Sequence, residues 1–582
     1  MTRDTDSERE AQALPDGGTA AGDDDVVLDP WGSATVADYR KLFEDFGIEE
    51  FDEVLEDVPN PHYLMRRGVI FGHRDYRRVA EAMRNDEPFA ALSGFMPTGD
   101  PHIGHKLVFD ELIWHQQQGG DTYGLIADLE AHSARGLSWD EIDEHARDYL
   151  LSLLALGFDP EEGTLYRQSD NRELQDLAFE LGIEANFSEL ENIYGFSGET
   201  DVSHMQSVVT QMADICYPQL DEPKPTVIPV GPDQDPHVRL ARDLAARTRY
   251  FGVTEAYASF EVDDEERLLI DSVRRNLEEA CHTLDIDRRA IRCGLAAELL
   301  QVYAGMWPDL QDAHPYGVRG ELVEEDVALL DRSQFYEDGE FTLPIDFTGV
   351  IEEPLAVEAF PPELDLDVYD SAIEKLKEAG KEPLRQRMRF LDRNATEEAF
   401  TALIESIPGE KRVYDEHVDA FDLSHADADD LAREVEVEHG GYGFVPPSSI
   451  YHRFMTGLTG GKMSSSVPAS HISLLDDPGE GYDKVKAATT GGRETAEKQR
   501  ELGGKADECP VYELYAYLLA GDDDEFAKEV YDECVGGERL CGGCKEQAAE
   551  LMRDFLEEHQ EKRAEVEELL DDLDLELDSP RT

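Results

Sequence analysis

Residues 93–105 constrain this chain most, because they join an apolar run to a helical pattern through a Gly- and Pro-rich turn. The apolar run at 88–92 has the length of a buried strand, and residues 106–118 repeat apolar side chains at helical spacing. The sequence therefore predicts a strand, a tight turn and a helix N-terminus. The unpaired N–H groups and partial positive charge of such a terminus favour an anion such as phosphate.

Two histidines, His102 and His105, stand at the predicted start of this helix, with Gly104 between them. Imidazole N–H groups donate hydrogen bonds to phosphate oxygens, and a glycine lets a flat ring approach the backbone closely. An ordinary capped turn with two surface histidines accounts for the same residues. This stretch by itself leaves both interpretations open.

A second stretch, 460–466, contains two glycines, Lys462, Met463 and three serines. A flexible loop of this kind can close over a triphosphate, with Lys462 as a mobile point charge and the hydroxyl groups as donors. A Gly/Ser linker is the alternative interpretation.

Together the two stretches resemble the paired HIGH and KMSKS signatures of class I aminoacyl-tRNA synthetases. The first signature matches letter for letter, and in the second Ser465 replaces the second lysine of the consensus. Segments 228–243, 457–466 and 490–495 are similar to tryptophanyl-tRNA synthetases, closest to the archaeal and eukaryotic branch. The resemblance covers roughly residues 60–250 and 444–565.

Strands alternate with helices after the first signature. We predict strands at 122–128, 164–168 and 226–230, and helices at 138–156 and 235–247, the last with Asp235 as its N-cap. This alternation predicts an α/β fold with a Rossmann-type, doubly wound parallel sheet. Ligands then bind beyond the carboxyl ends of the strands, where the 93–105 and 231–234 turns fall.

Composition and the resemblance together predict the domain organisation. We divide the chain into a disordered acidic tail (1–28), a helical lead-in (29–87), the first part of the catalytic Rossmann domain (88–250), an inserted domain (251–440), a catalytic segment with the KMSKS-type loop (441–480) and a helical anticodon-binding domain (481–582). Within the insertion, helical patterns occur at 267–284, 290–303 and 371–391, and the acidic run 415–438 is typical of a solvated helix and linker.

The chain is strongly acidic, with 131 Asp and Glu against 53 Lys and Arg and a formal net charge of -78. Such a balance ordinarily argues against a nucleic-acid partner. Because the acids are spread along most of the chain, we interpret them as an adaptation to concentrated salt, where a Debye length of about 3 Å at 1 M screens self-repulsion. We also expect a cytoplasmic protein without a membrane span, since no long apolar run or signal peptide is visible.

The resemblance implies a role for each site residue. His102 and His105 stabilise the triphosphate of ATP, on which Mg²⁺ is expected, and Lys462 and Ser464 hold the leaving pyrophosphate. Further ATP-binding positions are Ser93, Gly94, Pro97, Gly104, Met463 and Ser465. Glu130 meets the amino group of the amino acid, and Gln211 and Gln234 line the same pocket.

Two positions depart from the family pattern. Eukaryotic members have a tyrosine just before the first signature, where this chain has Leu92, and a glutamine near Leu125. Those polar groups recognise the indole N–H, so the sequence leaves its partner unidentified.

The implied activity is ATP-dependent attachment of L-tryptophan to tRNA(Trp) through tryptophanyl-adenylate, by an enzyme that is typically a homodimer. One alternative is tyrosine specificity, because the Gln-x-x-Asp pattern at Gln211 and Asp214 also occurs in tyrosyl enzymes. A second is a non-catalytic paralogue that senses an amino acid or binds tRNA. Intact His102, His105 and Lys462 argue against that role.

Four cysteines near the C-terminus, Cys509, Cys534, Cys541 and Cys544, are separated by 24, 6 and 2 residues. A Cys-x2-Cys pair that closes a four-cysteine set is a metal pattern. The spacing resembles the four-iron, four-sulfur motif of some tryptophanyl-tRNA synthetases; zinc and free structural thiols are the alternatives. The remaining cysteines, Cys216, Cys281 and Cys293, are interpreted as buried or incidental.

Overall fold

A computed structural model describes Phe43 and residues 47–256, 336–337, 340–341, 387–414, 417–461 and 467–573. The predicted tail, the helical patterns at 267–284 and 290–303, and residues 462–466 lie outside the described residues. The chain divides into two compact units. The first contains residues 1–248 and 444–582, and the second contains residues 249–443.

The strands are, in chain order, β1 (Glu49–Glu50), β2 (Ile70–Arg74), β3 (Ala90–Phe95), β4 (Asp121–Ile126), β5 (Gly163–Arg167), β6 (Thr226–Val230), β7 (Phe251–Ala256), β8 (Tyr336–Glu337), β9 (Glu340–Phe341), β10 (Arg387–Asp392), β11 (Lys411–Val413), β12 (His417–Ala420) and β13 (Ser448–His452). The first unit is built on a seven-stranded sheet with the order β1-β2-β13-β6-β3-β4-β5. Strands β13, β6, β3, β4 and β5 run parallel. The predicted α/β fold with a parallel sheet is therefore confirmed.

The helical lead-in prediction missed two strands. Besides short helices, this segment supplies β1 and β2, which extend the sheet in antiparallel register at the β13 edge. Strand β2 is only five residues long and ends in the polar residues His73 and Arg74, and its pairing partner β13 lies far away in the sequence. Local periodicity cannot reveal such a long-range pairing, so the helical spacing around it dominated the prediction.

The helices are α1 (Asp52–Leu55), α2 (Tyr63–Arg66), α3 (Arg77–Asn85), α4 (Ile103–Gln117), α5 (Asp128–Arg135), α6 (Trp139–Leu156), α7 (Arg172–Glu184), α8 (Phe187–Tyr194), α9 (Val202–Cys216), α10 (Asp235–Arg247), α11 (Glu397–Ser406), α12 (His425–Glu438), α13 (Pro478–Ala487), α14 (Ala496–Leu502), α15 (Pro510–Leu514), α16 (Asp524–Val535) and α17 (Cys541–Asp572). Helix α6 matches the predicted helix at 138–156. It begins at a capping box of Ser138 and Glu141 and ends at Gly157, whose φ of 112° favours glycine. In α10 the N-cap is Gln234, one residue before the predicted Asp235.

The second unit contains a four-stranded antiparallel sheet in the order β11-β12-β10-β7, covered by α11 and α12. The helical pattern at 371–391 is wrong at its end, because residues from Arg387 onward form β10. Met388 and Phe390 are buried in the core of this unit. Arg389, between them, lies opposite Asp419 in β12, with 2.6 Å between Nε and Oδ1. The acidic run begins as strand β12 and becomes helical only at His425.

The C-terminal part of the first unit is helical, and its longest helix is α17. It is 32 residues long, from Cys541 to Asp572. Near its C-terminal end it contacts α6, where Arg563 donates to Asp148 and Ser152. Among the described residues, no helix has the length and apolar character needed to cross a membrane.

Candidate active site

A cavity of about 460 Å³ opens at the carboxyl ends of the parallel strands of the first unit. This is the position where ligands bind in open parallel sheets, beside the point where the strand order reverses between β6 and β3. The predicted residues that line it are Ser93, Gly94, His102, Gly104, His105, Glu130, Gln211 and Gln234. Pro97 is buried beside the turn and does not line the cavity. Lys462, Met463, Ser464 and Ser465 lie outside the described residues.

The two signature histidines form a reciprocal cap at the start of α4. The Nδ1 atom of His102 accepts the Gly104 N–H at 3.1 Å, and the Nδ1 atom of His105 accepts the His102 N–H at 3.1 Å. Their rings stack with 3.8 Å between centroids. Because both Nδ1 atoms accept, the ring proton of each neutral imidazole lies on Nε2, which can donate.

Burial keeps both imidazoles uncharged near neutral pH. It lowers the pKa of His105 to about 4, and His471 acts in the same direction. Burial, with His105 and His471, holds the pKa of His102 well below its usual value. Among the lining residues that the structure describes, Arg453 is the one guanidinium, and none is a lysine. This end of the cavity thus offers hydrogen-bond donors and little positive charge.

The opposite side of the cavity contains two buried carboxyl groups, Glu130 of α5 and Asp214 of α9. Burial raises the pKa of Glu130 to about 7 and that of Asp214 to about 8, against the hydrogen bonds that Asp214 accepts. These bonds come from the Tyr166 hydroxyl at 2.9 Å and the Gln168 amide at 2.6 Å. Such a buried acidic site favours a cationic ligand, since a cation permits both acids to ionise.

Two amide oxygens in this acidic part have no donor among the described residues. They are Oε1 of Gln168 and Oε1 of Gln211, and both are buried. A buried polar atom without a partner is costly, so these oxygens suit a ligand that brings N–H groups. Gln168 was not predicted as a site residue. It ends the predicted strand 164–168, and parallel sheets present ligand-binding side chains at such strand ends.

A buried ion-pair network fixes the helix that carries Glu130. Arg167 donates to Asp128, the first residue of α5, at 3.0 Å from Nε and pairs with Asp143 at 2.8 Å from Nη2. The Ser169 N–H also donates to Asp128 at 3.1 Å. These contacts hold the first turn of α5, two residues from Glu130.

Leu92 and Leu125, the positions that depart from the family pattern, also line the cavity and are buried. They supply apolar surface where the pattern has polar groups. Neither leucine side chain can accept a hydrogen bond from an indole N–H.

Two glycines pack closely against sulfur atoms of the C-terminal cysteines. A Cβ atom on Gly492 would lie 2.5 Å from Sγ of Cys541, and one on Gly504 would lie 2.7 Å from Sγ of Cys534. The stretch 490–495 therefore packs against the cysteines, and larger residues at these glycines would collide with sulfur. The backbone supports this arrangement, since the Gly504 N–H donates to the Cys534 carbonyl oxygen at 2.8 Å.

All four cysteines are described, and no three of their sulfur atoms come within 4.8 Å of one another. A tetrahedral zinc site with Zn–S bonds of about 2.3 Å has sulfurs about 3.8 Å apart.

The sequence of this chain matches a family model described as tRNA synthetases class I (W and Y) over residues 84–261 and 427–557. The fold and cavity are thus those of a class I aminoacyl-tRNA synthetase. Tryptophan–tRNA ligase 1 of Halobacterium salinarum is 66% identical over 96% of this chain and 98% of its own length. Tryptophan–tRNA ligase of Methanosarcina acetivorans is 42% identical over 94% and 98%. The chain belongs to the tryptophan–tRNA ligase family.

A solved structure agrees with this membership. The crystal structure of tryptophanyl-tRNA synthetase from Aeropyrum pernix K1 matches with a TM-score of 0.54 and 28% identity, covering 92% of this chain and 96% of that one. These findings confirm the resemblance seen in the sequence, and they do not favour the tyrosyl alternative.

Proposed function

We propose that the cavity joins L-tryptophan to ATP, and that the tryptophanyl group then passes to tRNA(Trp), the activity of the family to which the chain belongs. ATP and Mg²⁺ are the reactants this family uses. The proposal depends on one observation: the cavity has an acidic part, rich in hydrogen-bond acceptors, and a second part that is rich in donors. Tryptophan and ATP carry the matching groups, an ammonium and a triphosphate.

The acidic part binds the amino acid. The ammonium group lies against the Glu130 carboxylate and takes the unpaired Oε1 atoms of Gln168 and Gln211 as acceptors, while Gln234 closes the same wall. An ammonium has three donors and needs one negative charge, which this set provides. The indole packs on Leu92 and Leu125.

We assign the indole N–H to Asp214. It is the second carboxyl group of the cavity, and the hydrogen bonds from Tyr166 and Gln168 keep its oxygens in place. The indole is a donor only, so it needs a buried acceptor. The carboxyl group keeps an acceptor oxygen in either protonation state.

The donor-rich part binds ATP. The Nε2–H group of His102 and the start of α4 face the phosphates, and His105, whose Nε2 atom lies 3.2 Å from the Tyr149 hydroxyl oxygen, stands beside them. Ser93, Gly94 and Gly104 leave room for the nucleotide. Because both imidazoles are neutral, the triphosphate charge has to be met by Mg²⁺ and by Lys462, with Ser464 and Ser465 as further donors. A carboxylate oxygen of tryptophan attacks the α-phosphorus, the bond to the bridging oxygen of the β-phosphate breaks, and pyrophosphate leaves.

Amino-acid-dependent exchange of pyrophosphate into ATP tests this function. We expect exchange with tryptophan and none with tyrosine. Exchange with tyrosine alone would overturn the specificity. If neither amino acid supports exchange, the non-catalytic alternative replaces the enzyme.

We propose that Cys509, Cys534, Cys541 and Cys544 hold a four-iron, four-sulfur cluster, supported by their sequence spacing, which closes on a Cys-x2-Cys pair, and by the glycines packed against Cys534 and Cys541. Protein purified without oxygen should be brown and contain iron and sulfide. Stoichiometric zinc without iron would replace the cluster with a zinc site. Protein without either metal would leave the cysteines as structural thiols.

We also propose a homodimer in the cytoplasm. Phe179 and Ile183 lie one turn apart on α7 and are 75% and 79% exposed, which is unusual for large apolar residues on a chain with a charge of -78. Light scattering of a Phe179→Lys/Ile183→Lys variant tests whether this face joins the protomers. A dimer that persists in the variant would place the interface elsewhere.

A further inference from the structure

Helix α4 carries a carboxyl group that the proposed reaction does not use. Glu111 is 0% exposed, and in the described part of the chain neither carboxylate oxygen accepts a hydrogen bond with good distance and direction. Its ionisable contact is His452, whose Nδ1 atom lies 3.4 Å from Oε1. Burial raises the pKa of Glu111, and His452 opposes this shift. Burying a carboxyl group with a single partner costs free energy of folding. This cost points to a functional role for the partner, His452.

His452 connects this pair to the cavity. It is the last residue of β13, it lines the cavity, and the next three residues, Arg453, Phe454 and Met455, line it as well. In the sheet, β13 and β6 lie on one side of β3, and β4 and β5 lie on the other. Glu130 and Gln168 of the amino-acid part follow β4 and β5, whereas His452 approaches the cavity from the β6 side. That side also leads into the segment before Lys462.

The pair constrains the imidazole. Consider the pair with one proton more than a neutral imidazole and an ionised carboxylate have. That proton lies either on the His452 ring or on the Glu111 carboxyl group. A charged ring donates from both nitrogens; a neutral ring that accepts the Glu111 proton at Nδ1 keeps its own proton on Nε2. Either way, Nε2 presents an N–H group. In catalytic triads a buried carboxylate that accepts from Nδ1–H likewise stabilises the charged form of the ring, in which Nε2 is protonated.

We infer that His452 donates its Nε2–H to an oxygen of the bound nucleotide, and that Glu111 is the positioning residue that holds the ring for this contact. This inference rests on the proposed function, because it places ATP in the cavity. Both ATP and the aminoacyl-adenylate can make this contact. The competing explanation is that the pair only fastens β13 to α4.

Three variants separate these explanations. Glu111→Met keeps the volume and removes the acceptor, Glu111→Gln keeps a group that can hydrogen-bond Nδ1, and His452→Met removes the donor. In pyrophosphate exchange we expect Glu111→Met and His452→Met to raise KM for ATP by roughly tenfold, the scale of one hydrogen bond to a charged group. KM for tryptophan should stay within about twofold, and Glu111→Gln should restore most of the affinity for ATP.

The double variant tests whether the two residues act together. Because Glu111 works through His452, the Glu111→Met/His452→Met enzyme should be no worse than His452→Met alone. His73→Met is the matched control, since His73 is a buried histidine of the neighbouring strand β2 that does not line the cavity. Its KM for ATP should equal that of the wild type. Circular dichroism in molar salt shows that each variant is folded.

Folded variants with unchanged KM for ATP would overturn the inference and leave the pair as a fastening between β13 and α4. An equal rise in both KM values would also overturn it, since that result indicates general distortion. Failure of the proposed function has a different signature, because the wild-type protein would then show no tryptophan-dependent exchange at all.

Discussion

The two parts of the cavity differ in their hydrogen-bonding character. The amino-acid part, with Glu130, Asp214 and two unpaired amide oxygens, has acceptors in excess and no described cation. The nucleotide part, with His102 and His105, has donors and little charge. Both parts lack positive charge. In the amino-acid part the ammonium group of the ligand supplies it, and in the nucleotide part it comes from a cation bound to the nucleotide or from the loop after β13.

This difference explains how one buried space can hold a cation and a polyanion without mixing them. Burial raises the pKa values of the two acids and lowers those of the two histidines. In the empty cavity these four groups therefore carry less charge than they would in water, and a matching ligand favours their charged forms. The predictions below test this division, from the largest expected effect to the smallest.

Lys462→Ala should have the largest effect. With neutral imidazoles at the nucleotide part, Lys462 is the cation we assign to the phosphates, and removing it should slow adenylate formation by roughly a hundredfold or more. Single-turnover formation of tryptophanyl-adenylate measures this step. Tryptophan affinity should change little, and a large loss of tryptophan binding with normal turnover would contradict the assignment.

Glu130→Gln should act on the opposite part. Replacing the buried carboxylate that faces the ammonium should raise KM for tryptophan about thirtyfold, from the loss of a charge-assisted hydrogen bond worth about 2 kcal/mol. KM for ATP should not move. Steady-state exchange kinetics with each substrate varied in turn gives both values, and a parallel rise in KM for ATP would show that the two parts are not independent.

Much of this division was visible in the sequence because its elements are local. The turn before α4 and the strands of the parallel sheet follow from apolar periodicity, caps and Gly/Pro positions, and the structure places them within a few residues. Strand β2 was missed because it depends on pairing with β13, far along the chain. Gln168 was missed as a ligand because its meaning lies in an unpaired oxygen, and only the folded neighbourhood shows whether a donor reaches it.

Glu111 shows the same limit in sharper form. In the sequence it is one acid among 131 Asp and Glu residues, and helical spacing gives it no special place. Its burial and its contact with His452 come from the approach of β13 to α4. Sequence patterns locate the turns that bind ligands, whereas tertiary pairing decides which buried groups support them.

The pH dependence of tryptophan binding should be the next largest effect. Glu130, whose pKa is raised to about 7, must be ionised to bind an ammonium. As pH falls from 8 to 6, protons compete with the amino acid, and KM for tryptophan should rise by up to about tenfold per pH unit below 7. KM for ATP provides the control, because both signature histidines stay neutral across this range.

The stability of the free protein should respond in the opposite direction. For Glu130 and Asp214 the folded state binds more protons than the unfolded chain between their ordinary values, 4.5 and 3.8, and about 7 and 8. Their contribution to stability is present below the ordinary values and is lost as pH rises through the folded values. A Glu130→Gln enzyme should lose part of this pH dependence in thermal unfolding, and an unchanged profile would contradict the raised pKa.

The smallest effect should come from Gln211→Leu. Its Oε1 atom is buried without a donor, so the ammonium gains a neutral acceptor there, and the change should raise KM for tryptophan about fivefold, within the range of one neutral hydrogen bond. Removing an unpaired polar atom from a buried position should also leave the free protein at least as stable as the wild type. Exchange kinetics and thermal unfolding of the same preparation measure both quantities. Unchanged KM together with lower stability would show that Gln211 is a structural residue, and the acidic part of the cavity would then bind the ammonium through Glu130 and Gln168 alone.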